Sequence, residues 1–351
     1  MHSNWLLYGA NGYTGRLIAE EATRRGMRPI LAGRSAEKIE PLARELGCPS
    51  RVFALDSPGQ VAGQLDGCRA VLHCAGPFSA TAEPMMEACL ERQVHYLDIT
   101  GEIDVIESAA AKHQRAVAAG ITLLPAAGFD VVPSDCLAAM LHQRIPDATH
   151  LEIAFTGTGA VSPGTARTML QRLPGGGRVR RDGQIVAVPF ARKTREIPFR
   201  EGPRPAVAIP WGDVATAWHS TGIPNIEVYL AMSRFQIRAL RSMAPVLPLM
   251  RRLRGRLMER AIRRFIVGPS AESRRTARGS FWSRVTNAVG ETAEATLVTP
   301  SGYTLTVLTA LAALAKVLAG EAPAGFCTPS KAFGAEFVLS MPETDVQWRS
   351  E

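Results

Sequence analysis

The sequence lacks the features that mark metal-held, disulfide-held and membrane-spanning proteins. Its six cysteines include no Cys-x-x-Cys pair, so we expect reduced thiols, no metal site and a cytoplasmic location. No basic leader precedes the first apolar stretch, residues 5–8, and we therefore expect no signal peptide. The longest apolar run, residues 305–315, is shorter than the roughly 20 residues of a membrane span, and it predicts a buried helix.

The net positive charge is concentrated in one segment. The formal net charge is +8, yet residues 234–284 hold fourteen arginines and two acidic residues, which gives this segment +12 and the remainder about −4. An evenly basic chain would favour a nucleic-acid partner, and this uneven distribution argues against one. With 46% hydrophobic and 21% charged residues, the chain of 351 residues is typical of a globular protein of about two domains.

The first part of the chain alternates between short apolar strands and helices. We predict strands at residues 4–8, 29–32, 51–55, 70–75, 95–99 and 121–125, and helices at 16–25, 37–46, 83–92 and 103–119. This alternation predicts an α/β fold with a doubly wound parallel sheet of the Rossmann type. The predicted Rossmann domain covers residues 1–133.

After Pro133 the alternation stops. We predict a helix at residues 134–144, strands at 150–156, 184–188 and 226–231, and a hairpin of residues 292–299 and 302–307. Turn-forming stretches separate these strands, which indicates a second domain of the α+β class.

A glycine-rich turn connects the first strand to the first helix. It reads Gly9-Ala10-Asn11-Gly12-Tyr13-Thr14-Gly15. We expect Gly9 to allow the tight turn, Gly12 to let a pyrophosphate approach the backbone, and Gly15 to let the helix pack closely on the strand. The spacing is GxxGxxG rather than the usual GxGxxG, and a purely structural turn is the alternative.

The end of the second strand predicts which dinucleotide binds. An NAD site usually carries an acidic residue about 20 residues after the glycine turn, whereas this strand ends in Arg34 and Ser35. Arg34 can stack on adenine and pair with a 2′-phosphate, and Ser35 and Lys38 add further donors. The sequence therefore predicts NADP(H), with a solvated basic corner as the alternative.

Two more loops are expected at the same edge of the sheet. Asp56 follows the third strand and is placed to meet the adenine amine. The loop Cys74-Ala75-Gly76-Pro77 follows the fourth strand and is expected to pass the nicotinamide ribose. We interpret Cys74 as a small buried residue rather than a nucleophile.

Several side chains could handle the proton that accompanies hydride transfer. They are Tyr96, Asp98 and Glu102 after the fifth strand, Asp130 and Asp135 after the sixth, and His219 in the second domain. Each has a structural alternative: Asp98 can cap the next helix, Asp130 can hold the turn of residues 128–133, and His219 can be a hydrogen-bonded structural histidine.

Residues 249–267 predict an amphipathic helix. Apolar residues recur every four positions from Leu249 to Phe265, and arginines form much of the opposite face. Such a helix could lie on an anionic membrane surface, which would place the protein peripherally at the membrane, or it could meet an acidic carrier protein. A core-facing helix with a solvated arginine face is the alternative.

Five motifs together resemble the saccharopine dehydrogenase-like oxidoreductases, and within them the trans-acting enoyl reductase branch. They are GANGYTG (9–15), LAGRS (31–35), CAGPF (74–78), HYLDITGE (95–102) and GFDVVPSD (128–135). The resemblance implies a Rossmann domain, an inserted α+β substrate domain at 134–324, and a C-terminal segment, 325–351, that packs back on the first domain. The chain departs from the family pattern at Ser162-Pro163-Gly164-Thr165, where Ser-Gly-Gly-Thr is common, which leaves the substrate open.

The resemblance implies an NADP(H)-dependent oxidoreductase that reduces a C=C bond of a small-molecule or carrier-bound acyl substrate. One alternative is a saccharopine-type imine or amino-acid reductase, for which Arg167 and Arg172 are placed to bind carboxylates. Another is a membrane-associated scaffold that binds the dinucleotide without turnover. Homodimer formation is left open.

Overall fold

The computed structural model describes residues 4–157, 161–166, 176–191, 193–243 and 268–349. The chain divides into two compact units. The first comprises Met1–Val132 and Leu305–Gly334, and the second comprises Pro133–Thr304 and Ala335–Glu351. The predicted amphipathic segment 249–267 and the arginines Arg167 and Arg172 lie outside the described residues.

The strands are short in the first unit and longer in the second. They are β1 (Trp5–Tyr8), β2 (Ile30–Gly33), β3 (Ser50–Val52), β4 (Ala70–His73), β5 (His95–Asp98), β6 (Thr122–Leu124), β7 (Ala148–Thr156), β8 (Gly177–Arg181), β9 (Gln184–Val188), β10 (Thr194–Phe199), β11 (Gly202–Ala208), β12 (Asn225–Ala231), β13 (Arg278–Asn287), β14 (Thr292–Pro300), β15 (Gly325–Phe326) and β16 (Asp345–Arg349).

Helices connect most of these strands. They are α1 (Tyr13–Arg24), α2 (Ala36–Leu46), α3 (Pro58–Gly63), α4 (Phe78–Arg92), α5 (Ile103–Ala111), α6 (His113–Ala119), α7 (Val132–Arg144), α8 (Asp213–Thr221), α9 (Arg234–Met243), α10 (Ala271–Thr276), α11 (Gly302–Leu318) and α12 (Pro329–Phe333), with a 3-10 turn at Phe337–Ser340. The predicted helix 103–119 is two helices, because the chain leaves helical geometry at Lys112.

The first unit contains a parallel sheet in the order β15-β6-β5-β4-β1-β2-β3. This order confirms the predicted doubly wound Rossmann fold. Trp5, Leu6 and Leu7 of β1 have no exposed surface, as expected for a parallel strand covered on both faces. The order reverses between β1 and β4, so a crevice opens at the carboxyl ends of these two strands, where ligands bind in such folds.

The second unit contains a mixed sheet in the order β10-β11-β12-β7-β13-β14-β16, with β8 pairing with both β12 and β9. β7 is parallel to β12 and antiparallel to β13. A cluster of buried apolar side chains covers one face of this sheet. It consists of Ala154, Ile197, Phe199, Ala206, Tyr229 and Trp282. The predicted α+β class of this half is therefore confirmed.

The C-terminal third differs from the sequence-based prediction in two ways. The predicted hairpin of 292–299 and 302–307 is wrong: β14 pairs with β13, and residues 302–318 form α11. Leu305, Ala310, Leu311 and Leu314 are almost fully buried, so helical burial of this apolar run outweighs the turn signal of Ser301-Gly302. The second difference is that the domain boundaries are not those expected from the sequence.

Residues 305–324, expected in the substrate domain, cluster with the first unit, where β15 extends its sheet. The segment 325–351 is divided, because β16 pairs with β14 in the second unit. Its C-terminal residues therefore add a strand to the second sheet instead of packing wholly on the Rossmann unit.

Candidate functional site

The glycine turn after β1 is shaped by close backbone contacts. Gly9 has a φ of +81°, which glycine adopts without strain, and its N–H donates to the Ala32 carbonyl at 2.8 Å. A Cβ atom on Gly15 would lie 2.2 Å from the Gly9 carbonyl oxygen. Only glycine therefore allows α1 to begin directly against the turn.

Gly12 differs from its two neighbours in the motif. Its backbone is extended, with φ −72° and ψ 164°, so its conformation does not require glycine. Among the residues that the structure describes, a Cβ on Gly12 would meet only the Gly9 carbonyl oxygen within 4 Å, at 3.2 Å, and Gly12 is exposed. The space beside Gly12 is thus open to a ligand rather than filled by the protein.

The start of α1 supplies the chemistry that a pyrophosphate needs. Gly12 is the N-cap and makes no side-chain cap, and the first amides of a helix have no acceptor within the helix. These amides and the helix dipole favour an anion. Ala10 is buried, Asn11 is exposed, and Tyr13 and Thr14 are partly exposed. The turn therefore fits a dinucleotide pyrophosphate.

The ends of β2 and β3 form a charged corner around Tyr8. The Tyr8 hydroxyl donates to the Phe53 carbonyl at 3.0 Å. Burial raises the pKa of Tyr8 to about 12, while the positive charge of Arg34 lowers it and the negative charge of Asp56 raises it. The charges of Arg34 and Asp56 thus act on this hydroxyl in opposite directions, and both side chains are exposed.

Ser35 and Lys38 extend the same corner. Ser35 is the N-cap of α2 and makes no side-chain cap, and Lys38 is exposed in the first turn. One guanidinium, one ammonium and one hydroxyl thus follow the tip of β2, and this donor set suits a ribose 2′-phosphate.

The loop after β4 lies directly against the glycine turn. A Cβ on Gly9 would be 2.8 Å from the Ala75 nitrogen, and the Cys74 N–H donates to the Tyr8 carbonyl at 2.8 Å. Burial raises the pKa of the Cys74 thiol well above its usual value, which keeps it protonated and poorly nucleophilic. The structure thus places the loop Cys74–Pro77 beside the proposed pyrophosphate site.

Tyr96 and Asp98, two predicted catalytic residues, have no exposed surface. The Tyr96 hydroxyl donates to Asp98 Oδ2 at 2.7 Å, and the N–H groups of Thr100 and Ala126 donate to Asp98 Oδ1 at 2.9 and 2.8 Å. Burial raises the pKa of Asp98 to about 6, and these three donors oppose that rise. Asp98 therefore ties the loop after β5 to the turn after β6, and it does not cap the next helix, α5, whose N-cap is Glu102.

Glu102 holds the beginning of α4. Its carboxylate accepts the N–H of Phe78 at 2.9 Å and that of Ser79 at 3.0 Å, and the Glu102 N–H donates to Thr100 Oγ1 at 3.0 Å. The carboxylate is therefore a helix cap supplied from the next loop, which is favourable at the positive end of the helix dipole.

Asp130 lies beside the same loop and keeps some exposed surface. A Cβ on Gly101 would be 2.9 Å from its Oδ2 atom, so Gly101 makes room for this carboxylate. The loops after β5 and β6 are thereby brought together at the carboxyl edge of the sheet. Tyr96, Asp98, Glu102 and Asp130 all lie in this region of the first unit.

The remaining candidates belong to the second unit. Asp135 is fully buried in α7 and accepts a hydrogen bond from the Ser220 hydroxyl of α8. His219 precedes this serine in α8 and is partly buried. A catalytic role for either residue remains a prediction.

Two residues of the first unit escaped the sequence analysis. His73 ends β4 and has no exposed surface, and its Nε2 atom is 3.0 Å from Thr81 Oγ1 in α4. A histidine at the end of an apolar strand was the available signal.

Among the described residues, no three His, Cys, Asp or Glu side chains form a metal site, and no helix is long and apolar enough to cross a bilayer.

Comparison with known proteins identifies a domain family for residues 5–124. Residues 5–124 match the family model described as the saccharopine dehydrogenase NADP binding domain. A saccharopine dehydrogenase-like oxidoreductase of Mus musculus is 31% identical over 150 residues, covering 37% of this chain and 35% of that protein. A trans-acting enoyl reductase of Mycobacterium leprae is 30% identical over 182 residues, covering 50% and 42%.

The match therefore spans less than half the length of these curated relatives. One solved structure, apo histidine-tagged saccharopine dehydrogenase (L-Glu forming) from Saccharomyces cerevisiae, aligns with a TM-score of 0.67 and 11% identity. The alignment covers 99% of this chain and 100% of that one, and at this identity it shows the fold alone. Residues 5–124 belong to the saccharopine dehydrogenase NADP-binding domain family, and the cofactor of this domain is NADP(H).

Proposed function

We propose that the chain is an NADP(H)-dependent oxidoreductase that reduces the C=C bond of an acyl or enoyl substrate. The observation that carries the cofactor part of the proposal is the turn of residues 9–15, which leaves an open space at Gly12 in front of the first amides of α1. The basic corner at Arg34 supports a cofactor with a 2′-phosphate, in agreement with the family match.

The protein's own contribution is to bind and orient. The turn binds the pyrophosphate, Arg34 and Lys38 bind the 2′-phosphate, and Asp98 and Glu102 fix the loops at the carboxyl edge of the sheet. A bound nicotinamide would supply the hydride, which is the difficult part of the reaction. The reduction consumes one hydride and one proton, which end on the two carbons of the former double bond.

Asp130 is the carboxylate that we propose to test first as the proton donor. It retains exposed surface at the carboxyl edge, whereas Tyr96 and Asp98 have none and share a hydrogen bond with each other. The Asp130→Asn variant should lower kcat at least tenfold while NADPH affinity stays within twofold. Asp104→Asn is the matched control, because Asp104 is an exposed carboxylate in the first turn of α5.

The enoyl assignment rests on relatives named trans-acting enoyl reductase. One of these relatives matches 50% of the chain. The alternative is an imine or amino-acid reductase, which other relatives named saccharopine dehydrogenase-like oxidoreductase favour. Enoyl reduction needs a pocket with an apolar lining for the acyl chain, whereas imine or amino-acid reduction needs side chains that bind carboxylates.

Isotope transfer distinguishes these reactions. The protein is incubated with NADPH deuterated at the transferable position, and either a trans-2-enoyl thioester or a mixture of a 2-oxo acid and an amine. We expect deuterium on the saturated thioester and none on an amino-acid adduct. Labelling only of the amino-acid product would favour the alternative. NADPH binding without labelling of either product would favour a scaffold without turnover.

A further inference from the structure

We propose that His73 and Thr81 are positioning residues that fix the Cys74–Pro77 loop for the cofactor. The inference rests on the proposed dinucleotide site, and it assigns a role to the contact between the buried His73 and the half-buried Thr81.

Thr81 joins the loop to the body of the first unit. Its hydroxyl donates to the Ala75 carbonyl at 2.6 Å, with the Pro77 carbonyl at 3.1 Å. A hydroxyl has a single proton, and that proton is directed at the loop. The contact of 3.0 Å with His73 Nε2 must therefore be one in which the histidine donates and Thr81 accepts.

This hydrogen-bond order determines the tautomer of His73. The ring is neutral with its proton on Nε2, and Nδ1 has no hydrogen-bond partner among the described residues. Aromatic rings enclose the histidine, with centroids 5.5 Å away at Tyr8 and 5.3 Å away at Phe78. Burial lowers the pKa of His73 to about 3, so the ring stays a neutral donor over the physiological pH range.

The loop is held at both ends as well as in the middle. The Cys74 N–H donates to the Tyr8 carbonyl at 2.8 Å, and Glu102 accepts the N–H groups of Phe78 and Ser79. Between these two anchors, Thr81 binds the Ala75 carbonyl. Ala75 is also the residue that lies against Gly9 in the turn, so a displacement of Ala75 is transmitted directly to the glycine turn.

Removal of the Thr81 hydroxyl takes away the partner that the described residues give to the half-buried Ala75 carbonyl and to the buried Nε2–H of His73. The middle of the loop can then move, and the cofactor must restore its position on binding. We expect Thr81→Val to raise the Kd for NADPH about tenfold, and Thr81→Ser, which keeps the hydroxyl, to restore it to within twofold of the wild type.

Thr122→Val is the matched control. Thr122 is a buried threonine of the same unit whose hydroxyl donates to the Pro323 carbonyl at 2.9 Å. It lies at the amino end of β6, whereas the proposed cofactor site lies at the carboxyl ends of the strands. This variant should lower the Tm and leave the Kd for NADPH within twofold. The full-length variants are titrated with NADPH by calorimetry at a temperature where each remains folded.

The outcomes separate the two proposals. If the wild type binds no NADPH, the proposed function fails. If the wild type binds but Thr81→Val binds equally well, or Thr122→Val weakens binding as much, the positioning role is refuted. If Thr81→Val does not fold, nitrogen-15 NMR of histidine in the wild type decides the matter: a proton on Nε2 of His73 supports the proposal, and a proton on Nδ1 overturns it.

Discussion

Replacement of Gly12 by alanine should separate cofactor binding from folding. The backbone at Gly12, with φ −72° and ψ 164°, is one that alanine adopts freely. A Gly→Ala change at a compatible site stabilises a protein by about 0.4–1 kcal/mol through the unfolded chain. The contact of the new Cβ with the Gly9 oxygen at 3.2 Å and the loss of an N-cap glycine oppose this gain. We expect the free energy of unfolding without cofactor to change by less than about 1 kcal/mol.

NADPH binding by Gly12→Ala should nevertheless be strongly reduced, because the new methyl group occupies the space in front of the first amides of α1. Loss of even one charge-assisted hydrogen bond is worth about 1.5–3 kcal/mol, which corresponds to a rise in Kd of roughly tenfold or more. Urea unfolding without cofactor and calorimetric titration with NADPH measure the two quantities. Gly15→Ala is the contrasting variant, since its Cβ would lie 2.2 Å from a backbone oxygen, and it should lose stability itself.

The reasoning is refuted if Gly12→Ala binds NADPH like the wild type, which would mean that no pyrophosphate occupies this space. It is also refuted if Gly12→Ala unfolds as readily as Gly15→Ala, because the glycine would then be a structural requirement.

Three further predictions concern other parts of the molecule. Arg34→Ala should raise the Kd for NADPH at least tenfold and change that for NADH by less than twofold in calorimetric titrations; an equal loss for both would contradict a 2′-phosphate contact. Because burial lowers the pKa of His73 from 6.5 to about 3, the folded state binds fewer protons than the unfolded state between these values, and the free energy of unfolding should fall as the pH drops from 6.5 towards 3. His73→Gln should remove this part of the pH dependence when the free energy of unfolding is measured in urea at successive pH values. Asp98, whose pKa is raised from 3.8 to about 6, contributes a pH dependence of the opposite sign, but it does so in both proteins and cancels in the difference between them. Identical pH dependence in the wild type and the variant would contradict a buried neutral histidine. For the arginine-rich segment 249–267 we propose contact with an anionic membrane surface: the full chain should float with vesicles containing phosphatidylserine but not with neutral phosphatidylcholine vesicles, and absence from the former would refute it.

The first unit was largely predictable because its signals are local. An apolar strand followed by a glycine turn and a helix fixes each βα unit, and the end of β2 carries Arg34 in the sequence itself. The strand and helix types within residues 4–125 therefore followed from periodicity and turn residues, except for the short helix α3 (Pro58–Gly63), which was not predicted. The bounds were less predictable: α4 begins at Phe78 rather than at residue 83, because Glu102 caps its first amides from a distant part of the chain.

The catalytic candidates show why residue type at a strand end is not sufficient evidence for chemistry. Asp98 has the expected position, yet three donors from its own loop and from Tyr96 and Ala126 use its oxygens. His73 shows the reverse case, since its role depends on Thr81, which no motif linked to it. Hydrogen-bond partners are set by tertiary packing, which spacing along the sequence does not reveal.

The hairpin predicted in the C-terminal third was wrong for a related reason. The turn signal at Ser301-Gly302 favoured a hairpin, whereas residues 302–318 form the buried helix α11, as the apolar run 305–315 had predicted. The partner of β14 is β13 on its N-terminal side, and the choice between these pairings depends on which surfaces the rest of the chain covers.

A crystal structure of the full chain soaked with NADPH tests the central claim most directly. We expect the pyrophosphate in front of the first turn of α1, beside Gly12, and the 2′-phosphate within ion-pair distance of the Arg34 guanidinium. Electron density for the dinucleotide elsewhere on the protein, or a pyrophosphate that makes no contact with residues 9–15, would contradict the account.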